Sequence, residues 1–536
     1  MNVLKVRMKP YIQPFERVLA LRELHALAGA EPLALESKSE TSTDFEIRSP
    51  CSHDVFARRL AYWEIVEYGE QMTVTEQSLR EATVNLVRNG VALDTLRQQL
   101  PFQNEAPFPN RRCLRYGTHG LHEHRGKFFP QLVRSLINIS GTHHGGVVAD
   151  PMSGSGTTVV EAILAGCCGR GLDMNPLSVF MGNAKAKLLS ADAERLRQDY
   201  ERIRSRLLVV EGRKKIRLAY FENLPEIDQE YLSAWFSAEV LAGLDDISRA
   251  IQELDDERSR DFMRVALSNI LRRVSWQKDD DLRVRKEIRL DIEIDSKKEF
   301  LEEIGRSIRT VLAFLFQNGP VDDPEYEIAE GDARLCGKIW KPNSVDVVIT
   351  SPPYATALPY LDTDRLSLCY LGLLPRPEHR TRDQQMIGNR EVSEGLRRQY
   401  WDRFLTDATM MLPERAQELI RRIETLNSGS NVGFRRRNLP ALLAKYFFDM
   451  RDVIQGIFDA LKPGSYAFVV VGNNHTIAGG HRVEIQTASL LKDIAESLGF
   501  DVAESLLMDM LVSRDIFKKN AMSSEEILAF RKPAQM

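Results

Sequence analysis

The chain has 536 residues, 43% hydrophobic and 28% charged, an ordinary globular composition too long for one hydrophobic core, so two or three domains are expected. A net charge of −4 excludes a global basic field, and any nucleic-acid surface must be a local patch offset by acidic regions elsewhere. Six cysteines without a C-x-x-C pair argue for a reduced, cytoplasmic chain, and no apolar run is long enough to span a bilayer, which sets a membrane role aside.

Residues 1–110 read as a mostly helical region, clearest from Val55 to Arg88, where Phe56, Leu60, Trp63, Val66, Leu79, Val84 and Leu86 fall at helix-like spacing. No catalytic constellation occurs there, and packing or target recognition are its two readings. Pro101, Pro107 and Pro109 mark a linker.

Segment 111–189 changes character. His122, Glu123 and His124 lie in a basic, proline-interrupted loop that lacks the i, i+4 geometry of a helical zinc motif, so no metal is assigned. Lys127 and Phe129 lead to Pro130, which suits the first turn of the helix that follows. Gly146 to Asp150 then reads as a strand, Pro151 to Thr158 as a glycine turn and Val159 to Leu164 as a helix. Gly154 and Gly156 let the backbone approach a ligand closely, and the helix amino terminus beyond them offers unpaired N–H groups. The turn has neither a P-loop lysine nor dinucleotide G-x-G-x-x-G spacing, and Asp150 suits an ammonium better than a phosphate. Cys167 to Leu172 reads as a second strand ending at Asp173, a carboxylate placed either to accept from ribose hydroxyls or to cap the next helix.

Where a third strand is expected, residues 190–322 form a long, charged, helix-patterned insertion. Arg272, Arg273, Lys278, Arg283, Arg285, Lys286 and Arg289 gather there around Trp276, as a DNA contact or as a solvated face, and Asp279, Asp280 and Asp281 in their midst favour the face.

Segment 323–536 resumes the strand pattern, first up to Asp332 and Ala333, then through Val345, Val347, Val348 and Ile349 into Ser351-Pro352-Pro353-Tyr354. The two prolines stop sheet pairing, leaving Ser351, two carbonyls and a flat ring at the strand's carboxyl end, where open α/β sheets bind ligands. Such a set can accept hydrogen bonds from an exocyclic amine and stack on a planar base. The polar segment after residue 375 and Gly433 to Arg437 are further candidates for DNA contact. Helix-patterned Tyr446 to Leu461, strand-like Tyr466 to Val471, helical Ile485 to Leu498, and strand-like Phe500 to Leu511 and Glu526 to Arg531 follow. About seven strand candidates with intervening helices make a doubly wound α/β sheet whose last strands form a hairpin.

Ser351-Pro352-Pro353-Tyr354 resembles the catalytic motif of the amino-methylating DNA methyltransferases, S-adenosylmethionine enzymes that modify N4 of cytosine or N6 of adenine. The resemblance covers roughly residues 119–189 and 325–531. It implies a Rossmann-like methyltransferase sheet, with a mostly helical insertion and a helical N-terminal region as departures, and S-adenosyl-L-methionine as cofactor. The matching cofactor positions are Lys127, Phe129 and Pro130 at the methionine end, Asp150, Pro151, Ser153, Gly154, Gly156 and Thr157 in the loop, Asp173 and Met174 at the ribose, and Asp332 and Ala333 facing the adenine. Ser351, Pro352, Pro353 and Tyr354 match the catalytic positions. The serine form is more often seen with N4 of cytosine, so the resemblance implies that methyl transfer on a base flipped from duplex DNA, with N6-adenine, an RNA base amine or a non-catalytic DNA-binding role as alternatives. A C5-cytosine nucleophile would need a Pro-Cys setting, and Pro50-Cys51 lies about a hundred residues before the cofactor loop. A cognate restriction or defence partner is compatible with the resemblance, and the oligomeric state is left open.

Overall fold

The computed structural model describes residues 2–31, 33–34, 42–102, 112–123, 129–209, 217–278, 285–288, 293–355, 360–390, 392–429, 432–509 and 524–534. Five short strands come first: β1 (Asn2–Met8), β2 (Leu33–Ala34), β3 (Asp44–Ser49), β4 (Trp63–Tyr68) and β5 (Gln71–Val74). They form an antiparallel sheet in the order β2-β3-β1-β4-β5.

This sheet is an addition to the mostly helical reading of residues 1–110. Helices are present over Pro14–Ala28, His53–Arg59 and Glu76–Arg88, but the stretch read as one helix from Val55 to Arg88 contains the β4–β5 hairpin. Its turn is Gly69-Glu70, with Gly69 at φ 60°, where a side chain would be strained. The apolar spacing is ambiguous over so few residues, and what decides for strands is pairing with the remote β1, Lys5 opposite Glu67. A signal for β1 was present, since buried Leu4, Val6 and Met8 alternate with exposed Lys5 and Arg7.

The second sheet carries β6 (Val147–Asp150), β7 (Cys168–Asp173), β8 (Tyr326–Glu330), β9 (Val345–Thr350) and β10 (Leu461–Gly472). A small hairpin, β11 (Asn474–Ala478) with β12 (His481–Ile485), rises from the carboxyl end of β10, and β13 (Asp501–Asp509) and β14 (Ser524–Arg531) close the large sheet. Its order is β13-β14-β10-β9-β6-β7-β8, with β14 alone running against the rest. From β6 the chain proceeds outward through β7 to β8, then returns to place β9 on the other side of β6. The order reverses between β6 and β9, and the crevice above such a switch point is where open α/β sheets bind ligands.

Both faces of this sheet are covered, as its near-continuous apolar strands require. Val347, Ile349, Phe468 and Val470 pack with the helix Pro130–Ile139 and the N-terminal sheet, while Val348, Ala467, Val469 and Val471 pack under the helices Phe434–Ala460 and Thr487–Ser497. The insertion is helical as the pattern predicts, over Ala193–Leu208, Glu226–Ser233, Ala238–Gln252, Glu257–Val274 and Ser296–Asn318. Side chains of Asp192, Ser237, Asp256 and Asp295 cap four of these. Among the described residues no helix is long and apolar enough to cross a membrane.

Candidate active site

Asp150 ends β6 and is buried, with its carboxylate accepting from the Met152 N–H at 3.1 Å and the Thr158 hydroxyl at 2.8 Å. Burial pushes its carboxyl up to about 6, against hydrogen bonds that act the other way. The Thr158 hydroxyl also reaches the Ile349 carbonyl at 3.3 Å, so one side chain at the start of the helix Thr157–Leu164 ties the glycine turn to the strand that delivers Ser351. Gly154 and Gly156 have φ of 49° and 80°. A Cβ on Gly156 would lie 2.8 Å from the Gly182 Cα, so this glycine is required for helix packing as well as for the turn.

Asp173 ends β7 and accepts from the backbone N–H of Gly154 and of Asn175, each at 2.8 Å. Burial pushes this carboxyl also to about 6. Two carboxylates therefore flank the turn, and among the described residues no cationic side chain holds either of them ionised. Beside them, Ser153 Oγ is buried without a hydrogen-bond partner among the described residues. An orphaned hydroxyl and two carboxylates short of positive charge fit a ligand that brings an ammonium and hydroxyl donors, as the amino-acid and ribose ends of S-adenosylmethionine do. On those observations the donor set fits the cofactor.

Ser351 and Tyr354 stand half-buried just past the carboxyl end of β9. The Tyr354 hydroxyl donates to Glu525, which lies at the start of β14 opposite Gly472 of β10. Because β14 runs against the parallel strands, its first residues sit on the same edge as the glycine turn and Ser351. Burial pushes the Glu525 carboxyl up, and the Tyr354 hydroxyl pulls it partly back.

Asp332, expected to face the adenine, follows β8, and its carboxylate is gripped by Arg334 through Nε at 2.9 Å and Nη2 at 2.6 Å. Arg334 also pairs with Asp449 of the helix Phe434–Ala460 at 3.0 Å. A cavity of about 350 Å³, lined by Arg334, Gln385, Tyr400 and Lys445 among others, opens beside this pair. Ala333 is buried next to it.

At the methionine end, Pro130 is the first residue of the helix Pro130–Ile139 and Phe129 lies under the Arg112 guanidinium at 5.4 Å, while Lys127 lies outside the described residues. The Met174 carbonyl accepts from Arg382 at 2.7 Å. His122, weighed as a metal ligand, is engaged by the Glu123 carbonyl at 2.7 Å and by Ser268 Oγ of the insertion at 3.0 Å. In the basic cluster around Trp276, Arg273 pairs with Glu299 at 2.6 Å and Lys286 lies over the Trp276 ring at 5.1 Å, while Arg283 and Arg289 lie outside the described residues.

Four contributors are not legible in the sequence pattern. Thr158 has only a weak signal, as the second threonine of a helix start. Asn175 bonds Asp364, of the helix Tyr360–Tyr370, at 2.8 Å, and Arg334 and Glu525 act on residues they meet only in space.

The RMKL-like, methyltransferase domain family matches residues 121–198. The chain is 26% identical over 374 residues to the type II methyltransferase M.MvaI of Kocuria varians, spanning 66% of this chain and 77% of that protein. It is 23% identical over 444 residues to the type II methyltransferase M.BsoBI of Geobacillus stearothermophilus, spanning 73% and 81%. Against the type II methyltransferase M.MjaII of Methanocaldococcus jannaschii the identity is 24% over 324 residues, spanning 45% and 60%.

Proposed function

We propose that this chain, which belongs to the amino-methylating, S-adenosylmethionine-dependent DNA methyltransferases, methylates N4 of cytosine in duplex DNA on a base turned out of the helix. The observation that carries the reading is the placement of Ser351-Pro352-Pro353-Tyr354 across the sheet's switch point from the Asp150 turn, joined to it by Thr158.

When bound, the cofactor supplies a sulfonium methyl group. Asp150, Ser153 and Gly154 would hold its amino-acid end and Asp173 its ribose, with Phe129 and Pro130 closing over the methionine. The exocyclic amine of cytosine is a poor nucleophile because its lone pair is delocalised into the ring. In this reading Ser351 Oγ and the Pro352 carbonyl accept its two N–H bonds, which favours the pyramidal amine and aims its lone pair. Tyr354 stacks on the base, with its hydroxyl anchored by Glu525. With the amine so held, its nitrogen would take the methyl of bound cofactor as the S–C bond breaks, and the methylated amine would pass its extra proton to solvent. The enzyme works in the cytoplasm, where its six free cysteines stay reduced.

The test is transfer of label from S-adenosylmethionine to unmethylated genomic DNA, followed by nucleoside mass spectrometry. N4-methylcytosine is the expected product. N6-methyladenine would keep the chemistry and change the base, and label entering RNA but not DNA would overturn the reading.

A further inference from the structure

Three segments compete for contact with the nucleic acid, and their charge and placement separate them. The insertion, 190–322, carries 24 Lys and Arg against 28 Asp and Glu. Its described cations are largely spent internally: Arg195 on Asp199 at 3.1 Å, Arg249 on Asp245 at 3.0 Å, Arg273 on Glu299 at 2.6 Å, Lys297 on Asp246. The N-terminal region, 1–110, holds 12 basic residues against 15 acidic, and its sheet packs over one face of the large sheet, not on its carboxyl edge.

Residues 375–440 differ on both counts. They carry 13 arginines against nine acids, a local excess of positive charge within a chain of net charge −4. They also stand on the active-site edge. The helix Phe434–Ala460 has 27 residues, roughly 40 Å at 1.5 Å per residue, and it ends where β10 begins. It therefore runs back along the sheet from the carboxyl edge, and Asp449, well inside the helix, already meets Arg334 just past the carboxyl end of β8 at 3.0 Å. The first turns of the helix consequently project beyond that edge. The helices Glu394–Met411 and Glu414–Ser428 brace them, with Asn427 donating to the Arg436 carbonyl at 2.8 Å and receiving the Gly479 N–H of the β11–β12 hairpin at 3.2 Å.

The projecting tip is exposed and under-neutralised. Phe434, Arg435, Arg436 and Arg437 are all exposed, and neither Arg436 nor Arg437 forms an ion pair among the described residues. Unpaired guanidinium groups next to the exposed Phe434 ring, set above a site that must receive a flipped base, match a phosphate backbone flanked by an open groove.

We propose that residues 394–429 and 432–440 form the arm that grips duplex DNA, with Arg436 and Arg437 on backbone phosphates and Phe434 turned to the groove. The inference rests on DNA being the substrate. It assigns the grip to this arm and not to the insertion.

The experiment compares full-length R436A/R437A with the insertion variant K286A, using sheared unmethylated genomic DNA as probe. Binding is followed across a salt series, and methyl transfer gives KM for DNA. The arm variant is expected to raise KM at least tenfold and to flatten the slope of log affinity against log salt by about two, one for each phosphate left without its guanidinium. Cofactor affinity and melting temperature should stay at wild-type values, and K286A should bind DNA as the wild type does. An arm variant with unchanged KM and salt slope, while the wild type methylates DNA, overturns this inference and leaves the function standing. So does weakened binding confined to K286A. A wild type that neither binds nor methylates DNA overturns both.

Discussion

The two halves of the active-site edge are built on different plans. On the β6–β7 side the carboxylates of Asp150 and Asp173 are held by neighbours close in sequence, chiefly the backbone N–H groups of Met152, Gly154 and Asn175. On the β9 side Tyr354 is held by the remote Glu525, and the Ile349 carbonyl accepts from Thr158 of the other half. The first half, the proposed cofactor cradle, is written into a short stretch of chain, and the second, the proposed catalytic set, is assembled by the sheet. The halves should therefore be separable: damage to the catalytic side should spare cofactor binding, and damage to the cradle should lose binding and transfer together.

The largest expected effect comes from converting Ser351-Pro352-Pro353-Tyr354 to Ala-Pro-Pro-Ala. Single-turnover transfer should fall by at least about 1000-fold, because each transition-state hydrogen bond is worth roughly 100-fold or more. Calorimetric titration should show cofactor affinity unchanged, and a parallel loss of affinity would erase the proposed separation.

Asp173→Ala probes the other half. Losing the proposed acceptor for ribose hydroxyls should weaken cofactor binding by roughly 10- to 100-fold. Transfer measured at saturating cofactor should recover most of its rate.

A third, smaller effect sharpens the assembly of the catalytic half. Glu525→Ala should slow transfer by about tenfold, the worth of one hydrogen bond to a charged group. Glu525→Ala added to Tyr354→Phe should cost little more than Tyr354→Phe alone, since both break the same hydrogen bond. Additive effects would show that Glu525 does not act through Tyr354.

The smallest effect is a pH dependence confined to the cradle. Burial disfavours the charged forms of Asp150 and Asp173 and pushes both carboxyls up to about 6 from the ordinary value of 3.8. A raised folded value means the folded state binds protons more tightly than the unfolded one, so these groups take stability away as pH rises from about 4 through 6. Melting curves without cofactor should show that contribution disappearing in Asp150→Asn. Cofactor carrying an ammonium and hydroxyl donors prefers the ionised carboxylates, so its affinity should rise as pH increases through 6. A flat affinity profile from pH 5 to 7 would remove both carboxylates from the cradle.

The sequence alone determined the strands of the large sheet, the glycine turn and the S-P-P-Y edge. Their signals are local: β-branched runs that must be buried, glycines needed at positive φ, and prolines that cannot pair. It determined the helical insertion too, because 3.6-residue apolar spacing and capping Asp and Ser residues act within one segment. Only the tertiary structure decided that residues 63–74 are a hairpin, since their partner β1 lies more than fifty residues away. The same holds for the Asp332–Arg334–Asp449 ion-pair chain, for Glu525 under Tyr354, and for the contrast between Arg273 of the insertion, paired with Glu299, and Arg436 and Arg437 of the arm, which form no ion pair among the described residues. Each depends on which distant groups meet once the chain is closed, and a charge's partner, unlike a strand's period, leaves no mark on its neighbours in sequence.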